Sequence, residues 1–488
     1  MTIWLALHLP ALPLQVCTRA EHAAEIPLAV FSSAPRSRLV AANARALAAG
    51  LRPGLGLASA LALAPGLVVR LHDPAGEAAL LAELACWAAQ FSPQLALDPP
   101  DCVVLDVGAS LTLFGGLHEL MARIAHGVAS LGLQPALAAA PTPLAARWLA
   151  VSGGGRIVER VEDLPARLAS LPVGVLACTA DDKHPVRSES IELLETIGIG
   201  TLGQCLQLPR DGLAKREAQG ITRALDRAFG RLPDLRLPFV PPQIFRSRIE
   251  LPQPSADTGQ IAFAVRRLLA ALAGHLAAHQ AGIEHYRLRL EHDNLPATTL
   301  TVHLGVASRD EARCNLLAQE HLAALRFVAP AIAVGLEAAQ ILPLPGETAT
   351  LFGAQLGNPR DQAAARSLLV ERLRARLGDT AVIGIAGQAD HRPERAWQAV
   401  APRNAAACHD DACATQPRPV WLLSEPRPLA ASDRLQLLAG PERIESGWWD
   451  GHDIGRDYHL ALGPQGRLLW VYRQLRDETA WFVHGIFA

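Results

Sequence analysis

Few side chains in this chain have a type and spacing that could support catalysis or metal binding. Cys408, His409 and Cys413 lie close together, but a structural zinc ion needs four ligands, and no second pair lies nearby. Asp101 and Asp106 flank an apolar segment, and carboxylates are the ligands that Mg²⁺ prefers. These two acids could therefore serve a metal-dependent reaction. The alternative is that Asp101 is an ordinary turn residue and that Asp106 has a structural role.

The elements around these acids predict an α/β or α+β core. The stretch from Ile3 to Leu12 has the form of a buried strand that runs into a turn at His8 and Pro10. Short apolar strands at 28–31 and 103–107 alternate with Ala-rich helices expected over 41–49 and 57–64. A histidine at the end of a strand is usually a surface or cap residue, so His8 by itself indicates no ligand.

The composition indicates a large globular protein. A chain of 488 residues exceeds one ordinary core and should form roughly three or four domains. The eight cysteines are scattered, which favours reduced thiols over a disulfide framework. The sequence contains no run of about 18 uncharged apolar residues and no secretory signal pattern, so we expect no membrane segment and a cytoplasmic location. With a net charge of −2, contact with nucleic acid would depend on local basic patches.

Proline and glycine mark two candidate boundaries. Residues 237–242 read Leu-Pro-Phe-Val-Pro-Pro, and proline disfavours both a helix interior and a central strand. Residues 342–346 form a second Pro/Gly stretch. Glycine-broken short helices precede the first boundary, whereas basic strands and two amphipathic helices, 261–279 and 310–325, lie between the two.

Four groups of residues occur in an order that has a known counterpart. The first, residues 33–54, predicts a strand, a helix that contains Ala-Ala-Asn, and a Gly-Leu turn. The second combines Val-Val-Leu-Asp-Val at 103–107 with Leu-Phe-Gly-Gly at 113–116. The third lies within 202–213, and the fourth combines the Trp-containing run at 440–451 with residues 481–487.

In this order the chain resembles the Y-family translesion DNA polymerases over nearly its whole length. The resemblance implies an α+β multidomain fold with a palm at 1–170, fingers inserted at about 20–75, and a helical thumb at 171–235. A little-finger-like domain would follow at 236–345, and a β-rich C-terminal module that binds partners at 346–488.

The resemblance also places the polymerase active site, where two Mg²⁺ ions roughly 4 Å apart are held by carboxylates. The two aspartates of the first strand fall on His8 and Pro10, and the acidic pair of the second strand falls on Asp101 and Cys102. Asp106 is interpreted as structural. The resemblance thus implies a degenerate site without a metal or other cofactor, and Mg²⁺ would bind only if an active polymerase used Asp101, Asp106 and a third, unplaced acid.

The residues that hold the incoming triphosphate are replaced in the same way. Their tyrosine and arginine fall on Ala44 and Leu47, and the palm lysine falls on Pro143. None of these side chains can bind phosphate, so the losses at the metal and nucleotide positions agree.

Two surfaces are candidates for DNA binding. In the thumb, the glycine turns at Gly198, Gly200 and Gly203 could present backbone N–H groups to phosphate. In the next domain, alternate positions on strands carry basic side chains that point to one face, namely Arg246, Arg248, Arg287 and Arg289. The alternative is a solvated sheet face whose partners are Glu250, Glu284 and Glu291.

Two segments are candidates for partner binding. Thr348, Leu351 and Phe352 are similar in placement and ending to the short clamp-binding peptides of replication proteins, and an ordinary loop-to-strand apolar pair is the alternative. Residues 419–488 hold five of the nine tryptophans. Aromatic residues at this density usually form the core of a small β domain, and some could be exposed anchors for a partner.

The resemblance implies a non-catalytic adaptor of damage-induced (SOS) mutagenesis. On damaged DNA, it would link the sliding clamp, a RecA-like accessory protein and a separate error-prone replicative-type DNA polymerase. The alternatives are a catalytically active Y-family translesion polymerase and a DNA-binding repair protein without polymerase partners.

Overall fold

The computed structural model describes residues 2–20, 26–33, 35–179, 184–209, 219–344, 359–378, 380–400, 402, 418–430, 435–463, 466–475 and 480–487. Its contacts divide the chain into two compact units, residues 1–356 and 357–488. All cysteines in the described residues are free thiols.

The first unit is built from helices and from both antiparallel and mixed sheets. Its described helices are α1 (Leu12–Thr18), α2 (Ala44–Ala48), α3 (Leu57–Leu63), α4 (Pro74–Ala88), α5 (Leu117–Ser130), α6 (Pro143–Val151), α7 (Leu164–Leu168), α8 (Ser188–Thr196), α9 (Leu202–Leu206), α10 (Gln219–Ala228), α11 (Thr258–Ala278) and α12 (Glu311–Ala324). Its described strands are β1 (Trp4–His8), β2 (Leu28–Phe31), β3 (Leu39–Ala42), β4 (Val68–Leu71), β5 (Leu95–Asp98), β6 (Cys102–Asp106), β7 (Ala136–Ala140), β8 (Phe245–Ser255), β9 (Ala281–His292), β10 (Leu295–Ser308), β11 (Ala331–Ala338) and β12 (Leu342–Pro343).

A four-stranded sheet in the order β5-β6-β1-β7 positions the candidate site. Strand β1 is apolar throughout because both of its faces are covered. Leu5 and Leu7 pack into a core with α4 and α5, whereas Ala6 belongs to a second core with α6. This division follows from the two-residue period of a strand, and it sets β1 at the centre of the sheet.

Residues 28–71 form a smaller sheet, in the order β3-β2-β4, with α2 and α3. The helix that we expected over 41–49 begins later, since Ala41 lies in β3 opposite Val30. Asn43 explains the difference, because its side chain accepts a hydrogen bond from the amide of Ala46 and caps α2. An N-cap residue has extended backbone, so the strand continues up to it.

The segment after the proline-rich linker forms a sheet in the order β10-β9-β11-β8, with α11 and α12 on one face. Helix α11 is long and apolar enough to span a membrane by length and composition alone. It contains Arg266 and Arg267, and 61% of its apolar window is buried. Packing between the sheet and α4 therefore accounts for its apolar residues.

Trp87 joins α4 to two other helices of the first unit. A Cβ atom added at Gly127 of α5 would lie 2.2 Å from the indole, and one added at Gly274 of α11 would lie 2.1 Å from it. Glycine is unfavourable inside a helix, and the closeness of the ring gives the physical reason for glycine at both positions.

The second unit contains helix α13 (Pro359–Leu377) and a five-stranded antiparallel sheet. Its strands are β13 (Gly384–Gly387), β14 (Trp397–Val400), β15 (Trp421–Pro428), β16 (Gln436–Ser446), β17 (Ile454–Leu462), β18 (Leu468–Gln474) and β19 (Trp481–Ile486), of which β15 to β19 form the large sheet in the order β15-β19-β18-β17-β16.

The aromatic residues of this sheet divide between core and surface. Tyr458 and Trp470 stack with ring centroids 4.0 Å apart, and with Tyr472 they form a buried cluster. Trp421, Trp448 and Trp449 are exposed. The α+β fold and the β-rich C-terminal region that the sequence predicts are confirmed, and the sequence alone did not show which aromatic residues would be exposed.

Candidate functional site at the edge of the four-stranded sheet

The sheet brings His8 and Asp101 together. His8 ends β1 directly opposite Cys102, the first residue of β6. The amide of Leu9 donates to the carbonyl oxygen of Asp101 at 2.8 Å, which extends the pairing by one step. As a result, Nδ1 of His8 lies 3.4 Å from Oδ1 of Asp101. Pro10 follows in the turn and contributes no ligand atom.

A guanidinium group occupies the space beside these residues. Arg147 projects from α6, and its side chain is only 2% exposed. Its Nη2 lies 3.3 Å from Oδ1 of Asp101, and its Nη1 lies 3.2 Å from Oδ2 of Asp98. The same group donates to the carbonyl oxygens of Asp98 and Pro99. Arg147 therefore ties together the whole turn between β5 and β6.

A second arginine reaches the site from the segment before the proline-rich linker. Nη1 of Arg236 lies 2.9 Å from Oδ1 of Asp98, and its Nη2 donates to Asp234 at 2.9 Å. Asp234 also accepts the amide of Leu144 at 3.0 Å, near the start of α6. The site thus pairs two guanidinium groups with three carboxylates, and His8 lies beside one of them, Asp101.

The electrostatics follow from this pairing. Burial lowers the pKa of Arg147, but the negative charges of Asp98 and Asp101 more than offset that effect, and the pKa is raised. Burial raises the pKa of the Cys102 thiol to about 12, so Cys102 is a neutral thiol and supplies no anionic ligand. The positive charge beside the acids is therefore permanent at neutral pH.

Asp106 lies too far along β6 to share a metal with Asp101. It pairs with Trp4 at the opposite end of β1 from His8, and four strand residues correspond to about 13 Å. Its Oδ1 accepts the amide of Gly108 at 3.0 Å. Within the described ranges, no group of three or more His, Cys, Asp or Glu side chains could hold a metal ion. The residues present do not fit a two-magnesium centre.

The nucleotide positions are equally unsuited to a triphosphate. Ala44 is the first residue of α2, Leu47 lies on its exposed side, and Pro143 is the buried first residue of α6. None of the three side chains offers a donor or a positive charge.

Sequence reasoning missed Asp98, Arg147, Asp234 and Arg236. Arg147 is separated from Asp98 by 49 positions and from Asp101 by 46, and no local pattern connects them. An arginine inside an otherwise apolar helix was the available signal, since arginine is rarely fully buried unless it is paired.

The structure corrects the prediction for the thumb glycines. The amides of Gly198, Gly200 and Gly203 donate, respectively, to the carbonyl of Glu195, to Oε1 of Gln204 and to the carbonyl of Ala169. All three N–H groups are thus engaged within the protein, and the turn presents none of them to a phosphate. Packing also explains Gly203, because a Cβ atom there would lie 3.0 Å from the carbonyl oxygen of Ala169.

The four predicted arginines do share one face of the sheet. Glu337 lies between Arg246 and Arg287, and Gly335 lies between Arg248 and Arg289. All four arginines border a cavity of about 610 Å³ that also reaches α1 and α4.

Acidic neighbours neutralise part of this face. Arg248 contacts Glu250 and Glu291, both at 3.0 Å, and Arg246 contacts Glu337 at 3.2 Å. Arg289 has a looser contact of 3.8 Å with Glu291. The remaining arginine, Arg287, has no ion pair with any residue that the structure describes. Features of both sequence interpretations, the basic face and the solvated ion pairs, therefore coexist.

Two further predictions lie outside the described residues. They concern the clamp-binding candidates Thr348, Leu351 and Phe352 and the sequence cluster of Cys408, His409 and Cys413.

Comparisons with known proteins match part of the chain to a family model and most of the chain to two named relatives. Residues 11–150 match the impB/mucB/samB family model. The proteins named Protein ImuB from two Caulobacter vibrioides strains (NA1000 / CB15N and ATCC 19089 / CIP 103742 / CB 15) are each 29% identical over 473 residues, which covers 90% of this chain and 100% of the relative.

Solved structures that the chain matches at low sequence identity include the following two. A post-insertion binary complex of Dbh DNA polymerase has 14% identity and a TM-score of 0.39, covering 70% of this chain and 99% of that chain. DinB from Sulfolobus solfataricus has 15% identity and a TM-score of 0.39, covering 71% and 100%.

Residues 11–150, which include strands β5, β6 and β7, are thus similar to the impB/mucB/samB family. More particularly, the chain is similar to Protein ImuB of Caulobacter vibrioides over 90% of its length. This relationship supports a Y-family-like role in the tolerance of DNA damage.

Proposed function

We propose that this protein is a non-catalytic adaptor of translesion synthesis. It holds damaged DNA on a polymerase-like scaffold and brings together the sliding clamp, a RecA-like accessory protein of the ImuA type and an error-prone replicative-type polymerase. The clamp contact is assigned to Thr348, Leu351 and Phe352.

The arrangement of Arg147 carries this proposal. In a two-metal polymerase, the palm carboxylates hold divalent cations that bind the triphosphate and the primer end. Here Asp98 and Asp101 are instead paired with Arg147 and Arg236. A buried guanidinium cannot be displaced without leaving an uncompensated charge, which costs several kcal/mol. These ion pairs thereby stabilise the scaffold in a form in which Asp98 and Asp101 are not available to metal ions.

Primer extension tests the absence of catalysis. The full chain, incubated with a primed template, all four deoxynucleotides and either Mg²⁺ or Mn²⁺, is expected to give no template-dependent incorporation. Wild type should be indistinguishable from Asp101→Ala and Asp98→Ala, because neither acid is available to a metal. If wild type incorporates nucleotides and Asp101→Ala abolishes this activity, the protein is an active polymerase and the adaptor proposal is wrong.

The arginine face is the proposed DNA interface, and it is independent of catalysis. Arg287 and Arg289 are its least neutralised members, since Arg287 lacks an ion pair among the described residues and Arg289 has only the 3.8 Å contact. Each phosphate that a cation neutralises contributes about 0.9 to the slope of log affinity against log salt. The expected change in this slope therefore follows from the loss of Arg287 and Arg289.

We expect the double variant Arg287→Ala with Arg289→Ala to bind a primer–template duplex more weakly and to reduce that slope by up to about 2. Fluorescence anisotropy at several salt concentrations measures both quantities. Arg123→Ala is the matched control, because Arg123 is exposed on α5 and paired with Glu119. If the slope of the double variant equals that of the control, this face does not bind DNA.

A further inference from the structure

A small lobe of the first unit carries positive charge without any acid. The basic lobe, residues 26–72, contains the sheet β3-β2-β4 with α2 and α3. It has five arginines and no aspartate or glutamate, whereas the whole chain has a net charge of −2. One arginine, Arg70, donates to the carbonyl oxygen of Pro252. The other four are exposed, namely Arg36, Arg38, Arg45 and Arg52.

The charges of the exposed arginines are not compensated. Nη1 of Arg38 donates to the carbonyl oxygen of Gly54 at 3.1 Å. Nη1 of Arg52 donates to the carbonyl oxygens of Leu47 and Leu51, at 2.9 and 2.7 Å. These contacts hold both guanidinium groups on the lobe, but a neutral carbonyl group does not cancel a positive charge. None of the four exposed arginines has an ion pair with a residue that the structure describes, so the surface is available to an acidic partner.

The two helices of the basic lobe also expose apolar side chains. Leu47 of α2 is 39% exposed, and Leu61 and Leu63 of α3 are 42% and 51% exposed. A surface helix usually turns charged and polar residues to solvent, yet Arg45 is the only charged residue in either helix. The outer sides of these helices therefore combine apolar side chains with arginine, as protein interfaces do.

Helix α8 has the complementary composition. Its exposed side carries three glutamates, namely Glu189, Glu192 and Glu195. None of them has an ion pair with a described residue, and the helix contains no lysine or arginine. Leu193 is 43% exposed, and Ile197, which directly follows the helix, is 51% exposed. These two residues lie four positions apart and share one side, so α8 presents an apolar pair among unpaired carboxylates.

The two surfaces match each other better than they match a nucleic acid. Phosphate groups repel the carboxylates of α8, so this helix does not favour DNA. The basic lobe has no tyrosine or tryptophan, and its one phenylalanine, Phe31, is buried, so it offers no such ring on which a base could stack. Its exposed leucines gain nothing from a phosphate, but they can bury apolar area against Leu193 and Ile197.

Within one chain the two surfaces do not meet. None of the glutamates of α8 contacts an arginine of the basic lobe in the described part of the chain. Ile191 and Leu194, on the inner side of α8, are buried in a core that also contains Leu144 and Trp148 of α6. Moving α8 to the lobe would expose these side chains to water, at a cost proportional to their apolar area. The α8 that meets the lobe must therefore belong to a second copy of the chain.

We infer that α8 of one copy docks on the basic lobe of a second copy. The glutamates of the helix lie against the exposed arginines, and Leu193 and Ile197 lie against the exposed leucines. Because the two surfaces differ, the contact is head-to-tail, and each end of a dimer can bind a further copy. This self-association is separate from the proposed adaptor function, since it requires neither DNA nor another protein.

Sedimentation velocity of the full chain at increasing protein concentration tests this contact. Wild type is expected to self-associate, and the association should weaken as salt is raised, because exposed charges are screened. The lobe variant, Arg45→Glu with Arg52→Glu, should raise the dissociation constant at least about tenfold, since attraction becomes repulsion. The helix variant, Glu192→Arg with Glu195→Arg, should have the same effect.

A control and a mixture make the test specific. Arg160→Glu reverses an exposed charge outside both surfaces, and it should change the dissociation constant less than about twofold. The lobe variant keeps a native α8 and the helix variant keeps a native lobe. An equimolar mixture of the two is therefore expected to form a one-to-one dimer, although each variant alone is monomeric at the same concentration. Formation of this dimer also shows that both variants are folded.

Several results would overturn the inference. Wild type that remains monomeric up to its solubility limit does not form this contact. If either double variant self-associates as strongly as wild type, the copies meet through other surfaces. If the mixture stays monomeric while circular dichroism shows both variants folded, α8 and the basic lobe do not bind each other. If the lobe variant keeps wild-type self-association but loses affinity for a labelled single-stranded oligonucleotide, the lobe binds DNA and not a second copy.

Discussion

Replacing Arg147 by alanine is expected to lower the free energy of unfolding of the first unit by about 3–5 kcal/mol. Asp98 is only 1% exposed, and the variant would leave it with Arg236 as its one remaining cation. Because breaking one side of a buried ion pair leaves an uncompensated charge, the cost greatly exceeds that of a surface pair. Hydrogen exchange of peptides from β5 and β6 at increasing urea concentrations measures unfolding in this region separately from the second unit.

Two comparisons make this prediction specific. Arg123→Ala, which breaks an exposed pair on α5, should cost no more than about 0.5 kcal/mol. Adding Asp98→Asn to Arg147→Ala should recover part of the stability, because it removes the uncompensated charge and neighbouring effects are not additive. A loss for Arg147→Ala as small as that for Arg123→Ala would show that the guanidinium does not neutralise a buried site.

Replacing Trp87 by alanine is expected to cost about 3–5 kcal/mol. The indole is 6% exposed and fills the space between Gly127 and Gly274, so its loss leaves a cavity where three helices meet. Hydrogen exchange of α4 and α11 reports the change. If both helices keep their wild-type protection, then Trp87 does not hold them together.

At Gly127 and Gly274, helix propensity and packing predict opposite changes in stability for a substitution by alanine. Alanine stabilises a helix by about 1 kcal/mol relative to glycine, yet Gly274→Ala should destabilise the first unit by about 1–3 kcal/mol, because the new Cβ meets the indole. Gly174, in the 3₁₀ helix Val173–Cys178, has open space around it, and Gly174→Ala should be neutral or stabilising. Equal effects at the two positions would contradict the packing explanation.

Local patterns determine much of this fold. Strands β1 and β6 are visible in the sequence as short apolar runs, and helices α11 and α12 are visible because their apolar residues recur about every four positions. The absence of acids at positions 8 and 10 is likewise a fact of the sequence. A single capping residue, Asn43, displaced a helix boundary that periodicity alone had placed earlier.

The sequence by itself therefore determined the α+β fold class and the absence of acids at positions 8 and 10. Only the tertiary structure decided that Arg147 and Arg236 occupy the site, that the thumb glycines donate within the protein, and that Trp448 is exposed while Trp470 is buried. The physical reason is common to all three. Ion pairing, amide satisfaction and burial depend on which distant elements meet, whereas local periodicity records only the side of its own element on which each residue lies.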